Sequence, residues 1–147
     1  MSYPEVGQKA PEFAMHADDG SLVTSEDLAG RRYVLYFYPK DDTAGCTAQA
    51  CSLRDNWSVA EALDAEIFGV SPDSVASHVK FRDRYGLKHR LLSDEGHTVA
   101  DAYGTWVEKS YMGKKYKGVE RTSFVIGPDG RVEHVLPRVK PVEHLGQ

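Results

Sequence analysis

The strongest constraint on the fold is the stretch from residue 33 to residue 51, which reads YVLYFYPKDDTAGCTAQAC. Its first six residues, Tyr33 to Tyr38, favour β-structure and predict a strand. Pro39 ends that strand, because proline has no N–H to donate to a sheet ladder. A polar turn follows, and the residues after Gly45 can form a helix. The pattern therefore predicts a strand that passes through a turn into a helix, with Cys46 at the junction.

A cysteine at such a junction is placed for reactivity. The first turn of a helix has unpaired N–H groups and the positive end of the helix dipole, and both favour thiolate, the reactive form of the side chain. The chain has two cysteines, and the second, Cys51, follows Cys46 by five residues. If both are helical, their Cα atoms lie roughly 8–9 Å apart.

That separation bears on what the pair can do, since a disulfide requires Cα atoms within about 7 Å of each other. A bond between Cys46 and Cys51 would need the start of the helix to unwind, which favours a bond made and broken in a working cycle. The alternative is that both cysteines are small buried residues or form a minor static bridge.

The remaining patterns alternate between strand and helix in the middle of the chain. A hairpin is predicted around the turn at residues 18–20, and Val75, Val79, Phe81 and Tyr85 indicate a helix that should end at Gly86. Another helix is expected from the cysteines to about residue 63. Near the end, residues 119–126 and 131–136 predict two strands joined by a Gly-Pro-Asp-Gly turn. These elements indicate an α/β protein with a mixed sheet, in one domain over residues 1–147.

Composition and charge exclude several classes of function. The net charge of −4 argues against nucleic acid as the main partner, so the lysine- and tyrosine-rich segment at residues 106–121 is predicted to be a solvated loop or hairpin. No apolar run approaches 18 residues, and the first residues lack a signal-peptide pattern. Two cysteines are too few for a secreted disulfide scaffold, which favours a cytoplasmic redox role. The histidines and cysteines have no zinc-site spacing, so no metal is expected.

The cysteine stretch resembles a known family. Pro39, Thr43 and Cys46 stand in the P-x-x-x-T-x-x-C arrangement of peroxiredoxins, and the second cysteine five residues later is similar to the subgroup called bacterioferritin comigratory protein or peroxiredoxin Q. Four later segments resemble the same subgroup in the same order: GVSPDS (69–74), SHVKFRDRYGL (77–87), LLSD (91–94) and GVERTSFVIGPDG (118–130). The resemblance implies a thioredoxin-like fold, with a mixed central sheet flanked by helices and an N-terminal β-hairpin.

The resemblance also implies roles for individual residues. Cys46 would attack the peroxide as thiolate, and Arg121 matches the family's arginine that contacts the reactive sulfur. Thr43 would hydrogen-bond the thiolate or the peroxide, and Pro39 would shield the sulfur from water. By residue type alone, Arg121 reads as a solvated arginine, Thr43 as a turn residue and Pro39 as a strand end. Cys51 would condense with the Cys46 sulfenic acid to form a disulfide.

Three features depart from the family pattern. Ala44 stands where the family usually has proline, and the chain ends at HLGQ where similar proteins usually continue into a last helix. Gln49 stands where the family has glutamate. A neutral amide can still orient Arg121, and we expect the Cys46 pKa to be lower than with a carboxylate there, because no negative charge would offset the arginine.

As a whole, the sequence predicts a peroxidase that reduces hydrogen peroxide and organic hydroperoxides, acts as a monomer and is recycled by thioredoxin or a similar dithiol. No cofactor is required for this chemistry. A thiol–disulfide oxidoreductase is an alternative, although the lack of C-x-x-C weighs against it. A peroxide sensor that uses the same disulfide to switch a binding surface is the non-enzymatic alternative.

Overall fold

The computed structural model of the chain describes residues 3–41, 43, 47–48, 50–51 and 65–137. Its strands are β1 (Ala14–Ala17), β2 (Leu22–Thr24), β3 (Tyr33–Phe37), β4 (Glu66–Ser71), β5 (Arg90–Ser93), β6 (Trp106–Tyr111), β7 (Lys114–Val119), β8 (Thr122–Ile126) and β9 (Val132–Pro137). The helices with defined bounds are α1 (Val75–Tyr85) and α2 (Thr98–Ala102), and residues 47, 48, 50 and 51 also have helical backbone. The rest of the helix expected to reach residue 63 falls on residues 52–64, and the departure from the family expected at the C-terminus falls on residues 138–147. Both ranges lie outside the described residues.

Seven strands of the described chain form one mixed sheet in the order β2-β1-β5-β4-β3-β8-β9. Strands β3, β4 and β5 are parallel neighbours, whereas β8 and β9 continue the sheet antiparallel beyond β3. The β1–β2 hairpin pairs antiparallel with the other edge of β5. The predicted mixed sheet and N-terminal hairpin are confirmed.

Strand β3 lies inside the sheet, between β4 and β8, and both of its faces are apolar. Tyr33, Leu35 and Phe37 belong to one buried cluster, and Tyr36 belongs to a second cluster with Phe81 of α1. Alternate residues of a strand point to opposite faces, so the continuous run of β-formers supplies both layers of the core. The unbroken apolar run of this stretch thus specifies a strand that is covered on both sides.

Helix α1 ends where the sequence predicts. Ser74 caps its start by accepting the backbone N–H of Ser77 at 3.1 Å, and Gly86 closes it in the left-handed region with φ of 62°. The buried residues of α1 are His78 and Phe81, whereas Val79 is exposed. The buried face of α1 therefore includes a histidine, whose ring nitrogens have buried partners.

The segment from residue 106 to 126 also differs in detail from the sequence prediction. Residues 106–119 form the β6–β7 hairpin, which turns at Met112 and Gly113, both with positive φ. The strand predicted over residues 119–126 is two strands, β7 and β8, which belong to different sheets. The N–H of Glu120 still follows the β6–β7 register, because it donates to the carbonyl of Thr105 at 2.8 Å, and the break therefore falls between Glu120 and Thr122.

Candidate active site

The loop that leads to Cys46 begins where β3 ends. The N–H of Tyr38 donates to the carbonyl of Val70 on β4 at 3.0 Å, which is the last bond of this kind before Pro39. Pro39 is half-buried and Lys40 is exposed. The chain therefore leaves the sheet at the carboxyl end of the parallel strands, the edge at which sites in α/β sheets are commonly built.

Thr43 connects this loop to the helical segment that carries Cys51. Its carbonyl accepts the N–H of Thr47 at 2.8 Å, a helical bond over four residues, and its hydroxyl donates to the carbonyl of Lys40 at 2.9 Å. The half-buried Thr43 thus lies at the start of the helical residues, as the strand–turn–helix pattern predicts. Because the Thr43 hydroxyl donates its hydrogen to the carbonyl of Lys40, it can interact with a further partner as a hydrogen-bond acceptor.

Cys51 is helical, half-buried and a free cysteine. The other two residues that the sequence assigned to this region, Cys46 and Gln49, lie outside the described residues, as does Ala44. The roles predicted for them stay predictions.

Arg121 lies at the same end of the sheet as the loop. It directly precedes β8, whose first residue, Thr122, is the register partner of Phe37 at the end of β3. Arg121 therefore lies next to the last register pair of β3 and β8, as Tyr38 does on the other strand. Arg121 is half-buried. Strand pairing thus brings the start of β8 to the end of β3, although the two lie far apart in the sequence.

A buried polar network, which the sequence analysis missed, holds the loop from inside. The Asp41 carboxylate accepts the Tyr38 hydroxyl at 2.5 Å and the Ser77 hydroxyl at 2.8 Å, and it lies 2.6 Å from Nδ1 of His78. The N–H of Asp41 donates to the carboxylate of Asp73 at 2.7 Å. Burial raises the pKa of Tyr38 well above its usual value, so its hydroxyl is a donor across the ordinary pH range. The polar residues at the start of α1 were the available signal, but nothing in their spacing connects them to Asp41.

Two kinds of feature are absent from the described residues, a cluster of metal ligands and a membrane-spanning helix. No group of three or more histidine, cysteine, aspartate or glutamate side chains within the described ranges is arranged to hold a metal ion. No helix within those ranges is long and apolar enough to cross a membrane.

Comparison with known families and proteins agrees with this geometry. The AhpC/TSA family profile matches residues 6–135. The putative peroxiredoxin bcp of Coxiella burnetii is 47% identical over 143 residues, which cover 97% of this chain and 95% of that protein. The peroxiredoxin Bcp of Bacillus subtilis is 43% identical, with 97% of this chain and 91% of that protein covered.

Similar solved structures extend the agreement to three dimensions. The structure of a cysteine-to-serine mutant of Xylella fastidiosa PrxQ superposes with a TM-score of 0.91 at 29% identity, covering 99% of this chain and 93% of that one. The Xanthomonas campestris bacterioferritin comigratory protein, whose structures address its alkyl peroxide reduction activity, gives a TM-score of 0.87 at 31% identity, with the same coverage of 99% and 93%. These likenesses confirm the thioredoxin-like α/β fold. The chain therefore belongs to the Bcp/peroxiredoxin Q branch of the AhpC/TSA peroxiredoxins and is a thiol peroxidase.

Proposed function

We propose that this chain reduces hydrogen peroxide and organic hydroperoxides through Cys46, resolves the oxidised sulfur with Cys51, and is recycled by thioredoxin or a similar dithiol. The observation that carries the proposal is the pairing of β8 with β3. Their last register pair, Phe37 and Thr122, is followed on β3 by the loop that runs from Pro39 to Cys46, here called the cysteine loop, and is preceded on β8 by Arg121. The alkyl peroxide reduction activity of the similar Xanthomonas campestris protein supports the substrate class.

In the first step, the Cys46 thiolate attacks one peroxide oxygen and the O–O bond breaks. The sulfur becomes sulfenic acid, and the other oxygen leaves as hydroxide or alkoxide and takes up a proton. Arg121 suits the need for a fixed cation, because a guanidinium stays charged and presents several donors in one plane. Those donors would favour the thiolate before the reaction and stabilise the charge that develops on the leaving oxygen.

Thr43 and Pro39 would complete the site from the loop. The Thr43 hydroxyl donates to Lys40, which leaves its oxygen free to accept a hydrogen bond from a protonated peroxide oxygen. Pro39 presents a ring with no N–H, so it would limit water near the sulfur without offering a competing donor. Both roles follow from the family pattern and are compatible with the half-buried position of the two residues.

In the second step, the Cys51 thiol attacks the Cys46 sulfenic acid, and a disulfide and water form. Cys51 is a free, half-buried cysteine on helical backbone. Since five helical residues separate Cα atoms by roughly 8–9 Å, more than a disulfide tolerates, the first turn has to unwind. The hydrogen bond from Thr47 to Thr43 belongs to that turn, so we expect it to break when the disulfide forms. An internal bond of this kind is consistent with a monomer.

The test is intact-mass analysis of the reduced protein after one equivalent of peroxide without reductant. A monomer that has lost two hydrogens supports an internal disulfide, whereas a covalent dimer would assign the resolving step to another chain. Turnover with thioredoxin and its reductase then distinguishes a peroxidase from a peroxide sensor. A recycled peroxidase consumes many equivalents of peroxide, while a sensor consumes about one.

A further inference from the structure

The Asp41–His78 contact is a buried pair that ties the loop after β3 to α1 and β5. Asp41 is 7% exposed and His78 is fully buried. Nε2 of His78 lies 3.0 Å from the carbonyl of Leu92, and Nδ1 faces the Asp41 carboxylate at 2.6 Å. Both ring nitrogens of His78 thus have a buried oxygen as partner.

The other partners of Asp41 come from two elements. Its carboxylate accepts hydroxyl hydrogens from Tyr38, just after β3, and from Ser77, on α1. Through His78 the carboxylate is also tied to the carbonyl of Leu92 on β5, inside the sheet.

Asp41 lies in the middle of the cysteine loop, two residues after Pro39 and two before Thr43. Its carboxylate is held by α1 and its N–H by Asp73, so both backbone and side chain of this position are anchored. Without His78, the buried Asp41 carboxylate would lose one of its three side-chain hydrogen-bond partners. The adjacent loop residue Lys40 is exposed, so the carboxylate could reach water by a displacement of the loop itself.

We propose that His78 is a positioning residue of the peroxidase site, which fixes Asp41 and thereby the placement of Pro39 and Thr43 beside Cys46. The inference rests on the proposed function, because the loop matters only if Cys46 reacts with peroxide. Among the contacts of the described residues, His78 has none with Pro39 or Thr43. Its effect on the loop would therefore pass through Asp41.

Two variants of His78 test this role. His78→Leu removes both ring nitrogens but fills the buried space with an apolar side chain. His78→Asn retains an amide that can still donate to Asp41. The matched control is Arg82→Gln on the same helix. Arg82 pairs at 2.9 Å with the buried carboxylate of Asp18, which does not belong to the cysteine loop. The measurement is the single-turnover rate of Cys46 oxidation by hydrogen peroxide, at a temperature where circular dichroism shows every variant folded.

We expect His78→Leu to slow this oxidation by roughly ten- to a hundredfold, because small displacements of positioning groups have effects of that size. His78→Asn should recover a large part of the loss, and Arg82→Gln should react like the wild type. If His78→Leu oxidises as fast as Arg82→Gln, or if His78→Asn is no faster than His78→Leu, the positioning role is wrong. A wild-type protein that does not oxidise at Cys46 would instead reject the proposed function.

Discussion

Gly69 of β4 and Tyr36 of β3 are register partners across the sheet, and the tyrosine ring covers the glycine. A Cβ placed on Gly69 would lie 2.7 Å from both Cζ and the hydroxyl oxygen of Tyr36. Tyr36 is itself fully buried, with its hydroxyl 2.5 Å from Nε2 of His89. The ring therefore has no free space into which to withdraw, and glycine is the residue that this close approach requires.

Gly69→Ala should destabilise the fold by about 1–3 kcal/mol, because an added methyl group in a packed core forces neighbouring groups to move. Urea unfolding monitored by fluorescence measures the change. Gly118→Ala on β7 is the control, since a Cβ there would meet its nearest neighbours at ordinary contact distances of 3.6 Å. An equal effect at both positions would mean that the Tyr36 contact is not the cause.

Arg121→Gln should lower the rate of Cys46 oxidation by hydrogen peroxide roughly 10²- to 10³-fold, the usual effect of removing a donor that stabilises developing charge. Arg121→Lys should retain only part of the activity, because an ammonium lacks the planar set of donors. Stopped-flow kinetics of the reduced protein give the rates. Arg131→Gln, at the β8–β9 turn on the other end of the sheet, should react like the wild type. Near-normal oxidation in Arg121→Gln would remove this residue from the proposed site.

Cys51→Ser should undergo one fast oxidation and then accumulate sulfinic acid on Cys46, because the sulfenic acid has no thiol within the chain to capture it. Cys46→Ser should consume no peroxide. Mass spectrometry of the tryptic peptide that contains residue 46 distinguishes the oxidation states after successive additions of peroxide. Normal turnover of Cys51→Ser with thioredoxin would show that another group resolves the intermediate.

Tyr33 should make the fold sensitive to alkaline pH. Burial raises the pKa of Tyr33 to about 12 from its model-compound value of 10.0. Between these values the unfolded chain loses the phenolic proton while the folded chain keeps it, so the free energy of unfolding falls as the pH rises. Two pH units set an upper limit of about 3 kcal/mol for this contribution.

Tyr33→Phe keeps the edge-to-face ring contacts with Phe13 and Phe68 but has no proton to lose. The unfolding free energy of Tyr33→Phe minus that of the wild type should therefore be larger at pH 11 than at pH 8. The comparison between the two pH values isolates titration from any general packing effect of the substitution. A difference between the two proteins that does not change with pH would contradict this assignment.

Much of the cysteine site could be predicted from the sequence because it is contiguous. The strand ending before Pro39, the turn through Thr43 and the start of a helix follow from residues that are neighbours in the chain, and the structure has each of them in the described part of the stretch. The Gly127–Gly130 turn was predicted for the same reason and is closed by a hydrogen bond of 2.9 Å between its two glycines. Local backbone preferences are sufficient for such elements.

The partners across the sheet were decided by tertiary structure alone. Residues 119–126 are continuous in β-forming character, but they divide into two strands because Val119 pairs with Trp106 whereas Thr122 pairs with Phe37. His78 reads as a polar helix residue, yet it is buried because Asp41 and Leu92 provide partners for both its nitrogens. A sequence pattern indicates which side chains favour burial or require a hydrogen-bond partner. Only the packed chain determines which distant group covers that side chain or bonds to it.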